Sequence, residues 1–123
     1  MFDRKSLLAP YEAKIDTAAL AMLIRAGVDV VLLDARGRES YEAKRIPGAK
    51  NVPADSAPKD IAKAIPSKDS LIVTYCGNVH CPASKMLYER LKELGYQNVL
   101  EYQDGIAGWL AGGYPAEEGK KGA

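Results

Sequence analysis

Two runs in this chain are almost entirely apolar: Val30-Val-Leu-Leu-Asp34 and Ser70-Leu-Ile-Val-Thr-Tyr75. Short runs of this kind, rich in β-branched residues and leucine, read as strands covered on both faces, the condition of strands in a parallel sheet flanked by helices. The segments around them carry helical spacing. Residues 17–25 are rich in helix formers and follow Asp16, whose carboxylate can accept from the amides of the next turn, while Gly27 closes the helix. After Asp34 a polar turn leads into a short helix over 38–44, a turn at Pro47-Gly48, and a brief strand over 49–52 that Pro53 ends. Residues 54–58 read as loop. Ile61, Ala62, Ala64 and Ile65 place an apolar stripe on a helix of about two turns that Pro66 stops. A longer helix runs from near residue 83, with its apolar spacing clearest over 85–94, and ends at Gly95. A strand over 98–102 and a helix over 105–111 complete the pattern.

The alternation of strand and helix predicts a single α/β domain with no internal repeat and no linker. Residues 1–15 show little pattern, with at most a short edge strand at 11–15. The core is expected over about 15–116, and the tail 116–123 has nothing to bury and is expected to fray. The length of 123 residues, 47% hydrophobic and 27% charged, suits one ordinary globular core. A net charge of +1 supplies no broad attraction for nucleic acid or an anionic membrane, so neither is expected as a partner. The first residues carry charges and reach Pro10 before an apolar segment of signal-peptide length can build, and no apolar run approaches the roughly 18 residues of a membrane span. The expectation is a cytoplasmic protein, whose thiols are kept reduced.

That expectation directs attention to Cys76-Gly-Asn-Val-His-Cys-Pro-Ala-Ser84, which holds both cysteines and the single histidine. Cys76 directly follows an apolar strand, and ligands of open α/β sheets bind beyond the carboxyl ends of the strands. The loop must curl back into a helix, which turns several amides toward one centre and brings a helix N-terminus close. Both effects favour thiolate over thiol. Gly77 and Asn78 tolerate the unusual backbone angles such a curl would need, and Pro82 suits the first turn of a helix. His80 either tunes the thiol or simply faces solvent. Cys81 is either a resolving thiol, if the loop ends lie within the roughly 4.4 to 6.8 Å Cα separation of a disulfide, or a residue packed beneath the loop. As resolving thiol it could attack a Cys76 persulfide or sulfenic acid and leave a disulfide for a cellular reductant. Cys76, His80 and Cys81 lie too close along one turn to reach tetrahedral positions, so neither a metal nor another cofactor is expected.

Three segments, LLDARGRESYEAKRIPGAKNVP, the cysteine loop after LIVTY, and EYQDGIAGWLAGGYP, together resemble the rhodanese-like family over about residues 15–116. The resemblance implies a three-layer α/β fold, with a central, mostly parallel five-stranded sheet and helices on both faces. It implies a sulfurtransferase in which Cys76 takes sulfane sulfur from a donor such as thiosulfate or polysulfide as a persulfide. The sulfur then passes to a thiol or cyanide-like acceptor, and a thioredoxin-like protein could serve as acceptor or reductant. The amides of Gly77, Asn78, Val79, His80 and Cys81 would hold the anion, with Arg36 toward the substrate. Asp34 and Arg36 would form a structural pair at the rim, and Gly105 would line the pocket floor. Trp109 reads as core.

The chain departs from the family at Cys81, where many members have an arginine that grips an anionic donor. Arg36, Lys44, Arg45 or Lys85 could compensate, although a solvated face is the commoner fate of residues placed as Lys44 and Arg45 are. Without the loop arginine a cysteine phosphatase is disfavoured. The alternatives to a sulfurtransferase are a dithiol redox protein using Cys76 and Cys81, and a noncatalytic module that carries sulfur or binds a partner protein.

Overall fold

The computed structural model describes residues 13–120. Helix α1 (Thr17–Arg25) starts where Asp16 accepts from the Ala19 amide at 2.8 Å, the capping bond its sequence position predicts. Strand β1 (Val30–Asp34) follows, then α2 (Arg38–Ala43), β2 (Lys50–Asn51), α3 (Pro58–Ala64), β3 (Leu71–Tyr75), α4 (Ala83–Glu93), β4 (Asn98–Tyr102) and α5 (Gly105–Ala111). Helix α3 begins earlier than its apolar stripe, because Pro58 has no N–H to waste at the first helical position.

All strand pairs are parallel, in the order β2-β1-β3-β4. The register sets Asp34 beside Tyr75 and Tyr75 beside Tyr102, so β1, β3 and β4 end level at one edge. Alternate residues feed opposite layers. Leu32 and Val73 join Leu20, Tyr41, Ile106 and Trp109 on one face, while Leu33, Ile72 and Val99 join Ile61, Leu87 and Leu91 on the other. Burial on both faces explains why β1 and β3 read as unbroken apolar runs.

The described residues hold four strands rather than the expected five. Beside β4 the chain makes only a one-residue parallel bridge, Lys14 to Glu101, with Ile15 N–H donating to the Glu101 carbonyl and Glu101 N–H to the Ala13 carbonyl. Asp16 ends the pairing at once by turning the chain into α1. Residues 11 and 12 of the expected edge strand lie outside the described residues.

The tail also differs from expectation. Arg45 is 2% exposed, so it is neither a solvated charge nor a rim cation. Its Nε donates to Glu117 Oε1 at 2.9 Å, its Nη1 to the carbonyls of Tyr41 and Gly119, and its guanidinium lies over the Tyr41 ring. Backbone bonds run both ways between Arg45 and Glu117, and the Gly119 amide donates to Glu42. Residues 116–120 are therefore strapped to α2, because a buried guanidinium must find acceptors and this segment supplies them. Residues 121–123 lie outside the described residues. Arg45→Ala is expected to cost about 2 kcal/mol of unfolding free energy in a urea titration. The Glu117 amide should lose its hydrogen-exchange protection while the β3 amides keep theirs.

Candidate active site

Cys76 stands one residue beyond β3, at the edge where the strands end level, and is 3% exposed. Its carbonyl accepts from the Ile106 amide at 3.0 Å, and that of Gly77 accepts from the Ala107 amide at 2.9 Å. The first turn of α5 is thus stitched to the start of the loop. Gly105 makes this approach possible, since its φ is +65° and a Cβ there would stand 2.5 Å from the Cys76 carbonyl oxygen.

The loop closes on itself through Asn78. The Asn78 side-chain oxygen accepts from the His80 amide at 2.9 Å, and its carbonyl accepts from the Cys81 amide at 3.2 Å. The amides of Gly77, Asn78 and Val79 donate to no protein group among the described residues. Those of His80 and Cys81, also expected to hold an anion, are spent inside the turn. Neither Gly77 nor Asn78 has positive φ, so the loop does not need the special backbone freedom expected of them. Asn78, Val79 and His80 are exposed, and His80 faces solvent.

Cys76 and Cys81 are joined as a disulfide, with Cα atoms 6.1 Å apart. Of the two readings of Cys81, the structure favours a thiol within bonding reach of Cys76 over an inert packed residue. Beneath the loop, the start of α4 is anchored by buried polar groups that the sequence pattern did not single out. Ser84 Oγ donates to Glu101 Oε2 at 2.9 Å, and Thr74 Oγ1 donates to the Ser84 carbonyl at 3.0 Å. Glu101 is 4% exposed, and its carboxylate lies at the first turn of α4, where a negative charge is favoured. An acidic residue inside a strand was the available signal.

At the end of β1, Asp34 is fully buried and accepts from the Arg36 amide, from Nε at 3.0 Å and from Nη2 at 2.8 Å. Arg36 Nη2 also donates to the Lys44 carbonyl, and Asn51 Nδ2 donates to the carbonyls of both Asp34 and Arg36. Burial works against the Arg36 charge, but the bond to Asp34 and its negative charge outweigh it, and the guanidinium pKa is raised. Burial, then the charge of Asp34, pushes the Tyr75 phenol well above its usual range, so it stays a neutral hydroxyl that accepts from the Ile46 amide. Asp34 and Arg36 are thus paired, and these hydrogen bonds occupy Nε and Nη2 of Arg36. Of the other cations considered, Arg45 is sequestered by Glu117, Lys44 lies 4.0 Å from Glu118, and Lys85 on the first turn of α4 has no partner among the described residues.

A parallel sheet between two helical layers, with a cysteine loop running from the end of a central strand into a helix, defines a rhodanese-like domain. A family model of the rhodanese-like domain matches residues 16–112, and the chain belongs to that family. It is 32% identical over 113 residues to the HTH-type transcriptional regulator Rv0324 of Mycobacterium tuberculosis, covering 92% of this chain and 48% of that protein. It is 33% identical over 67 residues to the thiosulfate sulfurtransferase PspE of Escherichia coli, covering 54% of this chain and 62% of that one. The chain thus spans about half to three-fifths of the length of these relatives. The crystal structure of the BH2092 protein from Bacillus halodurans superposes with a TM-score of 0.81 at 26% identity, covering 93% of this chain and 82% of that one. Among the described residues no helix is long and apolar enough to cross a membrane.

Proposed function

We propose that this domain is a sulfurtransferase that carries sulfane sulfur on Cys76. The observation that supports it best is the placement of Cys76, held at the end of β3 by the α5 amides, next to the unengaged amides of Gly77, Asn78 and Val79 and the start of α4. In the first half-reaction the Cys76 thiolate attacks the outer sulfur of the donor. A Cys76–sulfur bond forms, the donor's sulfur–sulfur bond breaks, and the electron pair leaves with the donor remnant, which is sulfite when thiosulfate is the donor. In the second, a thiol or cyanide-like acceptor attacks the outer sulfur and the thiolate is regenerated. The free amides stabilise the charge on the persulfide, because oriented N–H groups at a helix start favour an anion.

The donor is a small sulfane compound, thiosulfate or polysulfide. A thiosulfate dianion meets no loop arginine here, so its charge rests on the unengaged loop amides. The reaction requires Cys76 to be reduced, which a cytoplasmic setting and a thioredoxin-like dithiol partner would provide. The Cys76–Cys81 bridge favours a second reading, a dithiol redox protein that carries no sulfur. Intact-mass spectrometry and peptide mapping after incubating the reduced Cys81→Ser variant with thiosulfate or polysulfide separate the readings. The expected result is a gain of one sulfur on the peptide bearing Cys76, removed by an added thiol. No gain with any donor would leave the dithiol protein or a noncatalytic module.

A further inference from the structure

We infer that the sulfur held on Cys76 leaves as hydrosulfide through attack by Cys81, so that the domain reduces sulfane sulfur to sulfide as well as passing it on. The inference rests on the Cys76 persulfide proposed above. It is carried by which atoms the loop brings together. The bond in the structure is between the two Sγ atoms, across a Cα separation of 6.1 Å that falls in the usual disulfide range.

In a persulfide the Cys76 Sγ is the inner sulfur. Attack of Cys81 on the outer sulfur would only move the persulfide from one cysteine to the other. Attack on the inner sulfur forms the Cys76–Cys81 bond, breaks the bond to the outer sulfur, and expels that sulfur as hydrosulfide with the electron pair. The Cys81 thiol proton is released to solvent or to the leaving group. The two cysteine sulfurs are oxidised to the disulfide, and the outer sulfur is reduced from the sulfane to the sulfide state. A dithiol reductant then exchanges with the bridge and restores both thiols.

The surroundings favour this route. Cys76 is fixed at its backbone by the Ile106 amide, whereas Cys81 lies at the far end of a loop whose middle residues are exposed, bonded within the loop through Asn78. The attacking sulfur is therefore intramolecular and already positioned, which raises its effective concentration far above that of a free thiol. Cys81 is also only half-buried, so once the outer sulfur is on Cys76 its thiolate is a nearby nucleophile that needs no acceptor to bind.

The test is a single turnover. Fully reduced protein is loaded with polysulfide, freed of excess donor by rapid desalting, and followed by sulfide detection and intact mass without any added thiol. Wild type is expected to release about one equivalent of sulfide per persulfide, at a rate independent of protein concentration. It should end as the internal disulfide, lighter than the reduced protein by one hydrogen from each thiol. Cys81→Ser and Cys81→Ala are expected to retain the sulfur until a thiol is added, and their retained adduct shows that the variant site is folded. A wild-type persulfide that persists until an external acceptor arrives would overturn the inference and leave the transfer activity standing. Failure of all three proteins to take up sulfur would overturn both.

Discussion

Cys76→Ser is expected to abolish sulfur loading and to lower sulfurtransferase activity by more than about 1000-fold, to background, since a serine hydroxyl is a weak nucleophile unless a base activates it. No such base stands ready, as the only histidine in the chain, His80, is exposed. Cys81→Ser separates this chemical loss from a structural one. Both variants remove the same bridge, which closes a short loop and contributes about 2 kcal/mol to the oxidised protein through the unfolded chain's lost freedom. Urea titrations should therefore show both variants less stable than oxidised wild type by similar amounts, and both within about 1 kcal/mol of reduced wild type. Only Cys76→Ser should fail to gain sulfur. Equal loading by the two variants would remove Cys76 from the role of nucleophile.

Much of this arrangement is visible in the chain because burial writes it there. β1 and β3 are covered on both faces, so they appear as apolar runs with the expected ends, and the cysteine loop follows from where β3 stops. Asp34 and Arg36 are legible for the opposite reason, as charges abutting such a run. The misses at Arg45 and Glu101 share one cause, which is that long-range partners leave no local periodicity. Arg45 looks like a surface charge until Glu117 and Gly119, more than seventy residues later, fold back to it. Glu101 looks out of place in a strand until Ser84 meets it at the start of α4. The fifth strand shrinks to a bridge because Asp16, read correctly as a cap, leaves the preceding residues little room to pair. Spacing alone left open whether Cys81 meets Cys76, because six residues of loop can close in several ways.

Gly105→Ala is expected to cost about 3 to 4 kcal/mol and to slow sulfur loading more than tenfold, for a reason confined to one atom. The left-handed conformation at φ +65° costs a residue with a Cβ about 1 to 2 kcal/mol. The added Cβ would also meet the Cys76 carbonyl oxygen at 2.5 Å and the Gly77 carbonyl carbon at 2.8 Å. These are backbone atoms with no flexible end to swing aside. Relief requires α5 to back away from the loop, which stretches the Ile106 to Cys76 and Ala107 to Gly77 bonds, each contributing about 1 kcal/mol. The same movement releases Cys76 from its position, and a misplacement of about 1 Å is enough to cost a large factor in rate. Gly77→Ala is the matched control. Gly77 lies in the loop itself, yet its φ is not left-handed and a Cβ there meets nothing within 4 Å, while its amide is kept. It should load sulfur at close to the wild-type rate and unfold within about 0.5 kcal/mol of it. If urea titration and loading kinetics instead showed Gly77→Ala impaired and Gly105→Ala intact, the seat of the nucleophile would lie in the freedom of the loop and not in its contact with α5.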